Sequence, residues 1–316
     1  MRVGALFSAA LAVALLAGCA GDPDAYPVRP VKLYVPLSPG GATDTSARLL
    51  IEHLPEQFAG NVVVVNEAAG GGALAVNTVA KARPDGYSLL FFHEAMHTGY
   101  QQGTVRQRFD EFRSIGVVDR QHQFLLASAE SGWTDLDDFV TAARESPGRM
   151  AMGVSFGGTT QYSGAMLRAA GDIDLRMLDT GNEPERVAGL LSGQLDLIVG
   201  STSVAEQYLS SGDFVALAVT SEDRDPYISD VPTAVEQGYD VVFPTMSTLL
   251  GPADTPDSVV REWDAALDAV FADPAYREAM NMLAEPVRVP SVETPDQLRA
   301  SFDKVDRLAG LLDGTR

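Results

Sequence analysis

The sequence predicts an α/β protein of two lobes, and three observations carry that expectation. The chain of 316 residues is long enough for two domains of ordinary size. Short β-rich runs alternate with amphipathic helical stretches, the pattern of sheets built largely from parallel strands. The alternation runs twice in series, and each series holds a glycine-bearing loop between a strand and a helix, at 39–44 and at 155–161.

The elements follow in order. Residues 31–36 read as a strand and 44–54 as a helix whose apolar positions recur at helical spacing. A second strand at 62–66 runs into Gly70, Gly71 and Gly72 and then a helix over 73–82. Pro84, Asp85 and Gly86 turn the chain into a third strand, 87–92. Strands at 114–118 and 124–128 lead to a helix at 136–146, a strand at 150–155, helices at 160–170 and 185–192, and strands at 195–199 and 214–220. A short apolar strand at 248–251 precedes helices at 257–271, 274–283 and 294–312. Trp263 shares its helix with Val259, Val260, Ala266 and Leu267 and reads as core. Lobe 1 is expected to comprise 27–123 and 241–316, and lobe 2 to comprise 124–240. There is no internal repeat at a short fixed period.

Charge excludes one class of function. Lys and Arg number 23 against 43 Asp and Glu, a formal net charge of −20. A nucleic-acid surface needs clustered cations to displace counterions from phosphates, and no such cluster occurs. The lone cysteine, Cys19, ends an apolar run that follows Arg2 and closes with Leu16-Ala17-Gly18. A positive start, a short apolar stretch and a small-residue box before a cysteine match a bacterial lipoprotein signal. Residues 1–18 are therefore expected to be a signal peptide, Cys19 the lipidation site, and 19–26 a tether to an extracytoplasmic, lipid-anchored domain.

Three patterns imitate enzyme motifs. His93-Glu94-Ala95-Met96-His97 matches H-E-x-x-H, in which two histidines on one helix face share a zinc ion and the glutamate activates water. It stands as the alternative reading, a zinc-dependent hydrolase. The geometry requires a helix, however, and here the motif caps a β-rich run, so its first half is expected to be extended or turning. Gly153-Val154-Ser155-Phe156-Gly157 has the spacing of a nucleophile elbow, yet His53, His93, His97 and His122 all precede Ser155, against the chain order of that fold. Gly70-Gly71-Gly72 after a strand imitates a dinucleotide loop, which an exported protein has no use for.

The glycine loops share a simpler chemistry. Unhindered backbone at Pro39, Gly40, Gly41, Ala42, Thr43 and Asp44 can turn its N–H groups toward an anion at the positive end of the following helix. Residues 155–161 repeat the arrangement in the second half. Two such helix starts, one per lobe, suit anionic oxygens such as those of a carboxylate.

With these loops in view, the chain resembles the receptor family of the tripartite tricarboxylate transporters, also called Bug proteins. The resemblance rests on Tyr26-Pro27-Val28-Arg29-Pro30-Val31, on Pro39 to Asp44, on Ala80-Lys81-Ala82-Arg83-Pro84-Asp85-Gly86-Tyr87 and on Ala216-Leu217-Ala218-Val219-Thr220-Ser221. Asp230-Val231-Pro232-Thr233, Gly251-Pro252-Ala253-Asp254-Thr255-Pro256 and Asp273-Pro274 continue it in order. It implies a periplasmic-binding-protein fold of the Venus-flytrap, type II-like kind, with a small carboxylate or amino-acid-like acid held between lobes and handed to membrane permease subunits. It implies no catalytic residues, no cofactor and no metal. Carried over residue by residue, the ligand site would comprise Pro39, Gly40, Gly41, Ala42, Thr43, Asp44, Gly71, Glu94 and Ala95 in lobe 1. In lobe 2 it would comprise Ser155, Gly157, Gly158, Thr159, Thr160, Gly181 and Ser201.

Three departures bear on the substrate. Phe92-His93-Glu94-Ala95-Met96 replaces a small run of Gly, Ser and Thr, Phe156 stands where a small residue or proline is common, and Asp179-Thr180 precedes Gly181 in place of an aromatic and a basic residue. Two acids and one aromatic thus enter the pocket region, and a buried carboxylate repels a polyanionic ligand.

Overall fold

The computed structural model describes residues 26–58, 60–281, 283 and 285–312. The expected signal peptide and lipidation site, Cys19, lie outside the described residues.

The chain begins with β1 (Val31–Val35), α1 (Ala42–Glu52), β2 (Val62–Asn66), α2 (Ala73–Ala80) and β3 (Ser88–Phe92), and the three strands pair in parallel. β1 and β3 are almost wholly apolar because helices cover both faces of the sheet. After the short α3 (Ala95–Gln101), β4 (Phe112–Gln121) runs through His122 into β5 (Gln123–Ser128), which belongs to a second sheet. That sheet is completed around α4 (Leu136–Glu145) by β6 (Ala151–Val154), α5 (Thr159–Gly171), β7 (Arg176–Asp179), α6 (Glu183–Leu191), β8 (Leu197–Ser201), α7 (Thr202–Ser211) and β9 (Phe214–Val219). The chain then returns through β10 (Thr245–Pro252) and adds α8 (Asp257–Ala272), α9 (Pro274–Met280), β11 (Glu285–Pro290) and α10 (Thr294–Ala309).

The first sheet has the order β11-β4-β10-β3-β1-β2 and the second β7-β6-β8-β5-β9. In each, three parallel strands are followed by one antiparallel strand that has crossed from the other sheet: β10 beside β3, and β5 beside β8. Register decides where the crossings lie. Thr248 pairs with Phe92 and Gln123 with Ser201, so each crossing strand starts next to the carboxyl end of a parallel strand. The loops after β1, β2, β3, β6, β7 and β8 therefore open toward the junction between the lobes, the usual position of a ligand crevice in parallel sheets.

Buried polar groups tie the junction together. Asp119, wholly buried on β4, accepts hydrogen bonds from Ser46 on α1 and from the Ser247 N–H on β10 at 3.2 Å. The Thr220 N–H donates to the Gln123 carbonyl and the Phe243 N–H to the Thr220 carbonyl, both at 2.8 Å.

The apolar core divides by sheet face. Leu33, Leu50, Phe58, Leu89, Trp263 and Tyr276 fill one face of the first sheet, and Tyr34, Val76, Phe92, Phe112 and Leu298 the other. Phe139, Tyr162, Leu197 and Leu217 pack on one face of the second sheet, and Phe124, Leu190 and Ile198 on the other.

Several elements differ from expectation. α3, β7 and β11 were not foreseen, although the first half of the H-E-x-x-H motif does lie before α3, as expected. β7 is a largely exposed edge strand, and β11 carries prolines at two of its six positions, which suits only an edge. α7 is rich in Ser and Thr and buries only Thr202 and Ala205, so it has little apolar periodicity to read. The C-terminal segment, expected in lobe 1, spans both lobes: Leu298 packs against the first sheet, but Val305 and Leu312 lie in the core of the second.

Trp263 is fully buried, packs against Phe58 with the rings tilted by 54° and their centroids 4.7 Å apart, and donates from its indole nitrogen to Tyr26 at 2.9 Å. Trp263→Ala should lower the unfolding free energy by about 3–5 kcal/mol, read from urea denaturation.

Candidate ligand-binding cleft

The two glycine loops fold into the same turn. Ser38-Pro39-Gly40-Gly41-Ala42-Thr43-Asp44 and Ser155-Phe156-Gly157-Gly158-Thr159-Thr160-Gln161 correspond residue for residue. Gly40 and Gly157 sit in the left-handed region with φ of +83° and +80°, which strongly favours glycine. Gly41 and Gly158 follow in extended conformation as the N-caps of α1 and α5. In each turn the side chain four residues on takes the first glycine's N–H: Asp44 Oδ2 from Gly40 and Gln161 Oε1 from Gly157, both at 2.8 Å. The amides of Ala42 and Thr43, and of Thr159 and Thr160, are the first of their helices, for which the helix itself supplies no carbonyl. Those four N–H groups are what the turns can offer a ligand.

Asp44 organises the first turn. Its carboxylate also accepts from Arg48 Nε and Asn66 Nδ2, each at 2.9 Å, which joins the loop after β1 to the end of β2. Burial alone would raise its pKa, but the donors Arg48, Gly40 and Asn66 outweigh burial and hold the carboxyl below the usual range. Gly72 packs the neighbouring loop against this one, since a Cβ there would stand 2.6 Å from the Pro36 Cβ. Gly71, at φ +65°, has open space around it at the tip of that loop.

Arg186 plays the corresponding part in lobe 2, and sequence reasoning did not single it out. Only 7% exposed, it donates from Nη1 to Ser155 Oγ at 3.0 Å and to the Gly181 carbonyl at 3.1 Å. Ser155 Oγ in turn donates to the Gly181 carbonyl, and the Ser155 N–H bonds Thr160 Oγ1 at 2.8 Å. The hydroxyls of Ser155 and Thr160 thus hold the loops in place. The available clue was the match between 38–44 and 155–161, which marks which loop needs bracing.

Three expected site residues are engaged elsewhere. The Ser201 N–H and hydroxyl both donate to Glu183, at 2.6 and 3.2 Å, so a side-chain carboxylate occupies the start of α7. The Ala95 N–H donates to His93 Nδ1 at 3.2 Å. Glu94 is 1% exposed, where the resemblance implied a place in the ligand site; it accepts from the Met246 N–H at 2.8 Å and from Ser301 Oγ at 3.2 Å. It joins β10 and α10 to the end of β3.

The H-E-x-x-H pattern dissolves in the same way. α3 starts only at Ala95, so His93 lies before the helix that carries His97, and the two rings do not share a helix face. Burial lowers the His93 pKa to about 4, which keeps the ring neutral and able to accept from Ala95. His97 bonds Asp306 at 2.7 Å and stacks on Phe302. From the same helix Thr98 Oγ1 reaches across to the Gly157 carbonyl at 2.8 Å, linking α3 to the lobe 2 turn.

Residues 46–311 match the family described as "Tripartite tricarboxylate transporter family receptor". The chain belongs to this family. A Pseudomonas sp. (strain P51) relative, the UPF0065 protein in the tcbD-tcbE intergenic region, is 30% identical over 267 residues, covering 82% of this chain and 79% of the relative. The solved periplasmic binding protein BugD is 29% identical with a TM-score of 0.78, covering 92% of this chain and 98% of that one. R. palustris Rpa4515, solved with adipate, superposes with a TM-score of 0.83 at 23% identity, covering 90% of this chain and 98% of that one. The fold is accordingly that of the family's periplasmic binding proteins, which bind solutes and are not enzymes. No helix among the described residues is long and apolar enough to cross a membrane.

Burial pushes the Glu94 carboxyl from 4.5 up to about 7. A raised folded-state pKa means the native state holds the proton more tightly than the unfolded chain, so this contribution to stability is full below pH ~4.5 and is lost as pH rises to ~7. Glu94→Gln, which keeps an acceptor for Met246, should flatten that part of the profile and stabilise the protein at pH 8, measured by denaturant titration across pH.

Proposed function

We propose that this protein is the extracytoplasmic receptor of a tripartite tricarboxylate-type transporter, capturing a small organic carboxylate between its lobes and delivering it to membrane permease subunits. The observation that carries this reading is the pair of equivalent turns, one on each lobe, each freeing the first amides of a helix by spending its glycine N–H on a side chain of its own. Ala42 and Thr43 from one side and Thr159 and Thr160 from the other are the donors assigned to ligand oxygens. Gly41 and Gly158 let the ligand approach, while Gly71 and Gly181 lie on the adjoining loop tips. Helix starts favour negative charge without a lysine or arginine at the contact, which fits a protein whose net charge is −20. The adipate held by the related R. palustris protein supports the same ligand class. Lipidation at Cys19 would keep the receptor at the membrane beside its permease.

A thermal-shift screen of small carboxylates tests the reading, because a ligand that binds only the folded state must raise its stability. Gly41 is the informative position. Its backbone is extended, and the nearest atom to an added Cβ is the Ser38 carbonyl oxygen at 3.7 Å, so a side chain fits there without strain. Gly41→Leu should weaken binding at least tenfold while changing the unfolding free energy by less than about 0.5 kcal/mol. Unchanged affinity would remove the first turn from the site. Separately, Cys19→Ser should move the protein from the membrane fraction to the soluble fraction, and retention would place the tether elsewhere.

A further inference from the structure

We infer that the cleft is built for a ligand with one carboxylate and an apolar body, and that Phe156 is the residue that selects it. This rests on the receptor reading above and narrows its ligand class.

The first ground is charge. The loop segments at the carboxyl ends of the parallel strands, 36–41, 67–72, 93–94, 155–158, 179–182 and residue 201, contain no lysine or arginine. The two guanidinium groups nearby are committed: Arg48 to Asp44 at 2.9 Å, and the buried Arg186 to Ser155 and Gly181. Lobe 2 has a further helix start that could receive an anion, that of α7, and Glu183 stands at it, accepting from both the N–H and the hydroxyl of its N-cap Ser201. At the end of β7 stands the exposed Asp179, whose Oδ1 accepts the Phe156 N–H at 3.3 Å. A second carboxylate on the ligand would meet Asp179 and Glu183, and the one cation beside them, the buried Arg186, already has Glu183 and Glu185 as its charge partners, which is how a site rejects a polyanion.

The second ground is Phe156. It is 46% exposed, in the loop position that Pro39 holds in the lobe 1 turn. Its N–H is tied to Asp179, and the carbonyl of the next residue, Gly157, is tied to Thr98 of the opposite lobe. The backbone that carries the ring is thus pinned where the lobes meet. An apolar ring in an otherwise polar loop gains only when apolar ligand surface covers it.

Isothermal titration of the purified chain distinguishes the cases, with phenylacetate and hexanoate as single-carboxylate probes and succinate, adipate and citrate as polyanionic ones. The expected result is at least tenfold tighter binding of the first set, about 1.4 kcal/mol. Phe156→Ala, at an exposed position the fold does not depend on, should erase that preference, and Glu183→Gln should improve adipate binding without weakening phenylacetate. Equal or tighter binding of the polyanions by the unaltered chain, or an equal loss for both sets in Phe156→Ala, would overturn the inference and leave the receptor reading standing. A cooperatively folding chain that binds none of the five acids would overturn both.

Discussion

The constraint on which the rest of the structure depends is the pairing of two crossing strands with the sheets they enter. β5 and β10 each leave one lobe and insert antiparallel beside a parallel strand of the other. An antiparallel neighbour must begin where its parallel partner ends, so both crossings sit at the carboxyl edges of the two sheets. Six strand-to-helix loops are thereby brought to one junction. Asp119 reinforces the geometry from beneath, as its buried carboxylate is satisfied only while α1, β4 and β10 stay in place.

Given that junction, the chemistry of the site reduces to which backbone amides remain free. A left-handed glycine followed by an extended one starts each helix, and the glycine N–H that would otherwise compete for the ligand is taken by the side chain four residues on. The two turns solve the problem with different residues. Lobe 1 uses a charged Asp44 and must neutralise it with Arg48; lobe 2 uses the neutral Gln161 and spends its buried arginine on bracing two loops. The Ser155 hydroxyl, which looks like a ligand contact in the sequence, is consumed in this bracing, and Thr160 gives its oxygen to the Ser155 N–H.

The C-terminal helix adds a second connection between the lobes. Leu298 and Phe302 pack with the first, Val305 and Leu308 with the second, and Ser301 and Asp306 receive Glu94 and His97. A pattern that imitates a hydrolytic zinc site therefore serves to dock a helix. The glutamate is buried because it satisfies a strand amide and a hydroxyl at once, and a buried carboxyl with only neutral partners holds its proton to higher pH.

Much of this was legible in the chain itself. Apolar runs bounded by Gly, Pro and Asp marked the central strands, because strands covered on both faces must be continuously apolar, and the order of short motifs pointed to the family. The two glycine loops were readable as tight strand-to-helix turns, since the left-handed backbone at Gly40 and Gly157 strongly favours glycine. Edge strands β7 and β11 escaped notice because exposed strands carry no apolar signature, and α7 because it buries so little. Which cradle residues face outward was beyond the sequence. Glu94, Ala95 and Ser201 lie at the right strand ends, yet their groups are claimed by Met246 and Ser301, by His93, and by Glu183. Two of those partners, Met246 and Ser301, stand more than 150 positions away along the chain. The sequence by itself determined the elements and the turns, whose causes are local; only the tertiary structure decided which polar groups were left for a ligand, because that depends on what distant side chains have already taken.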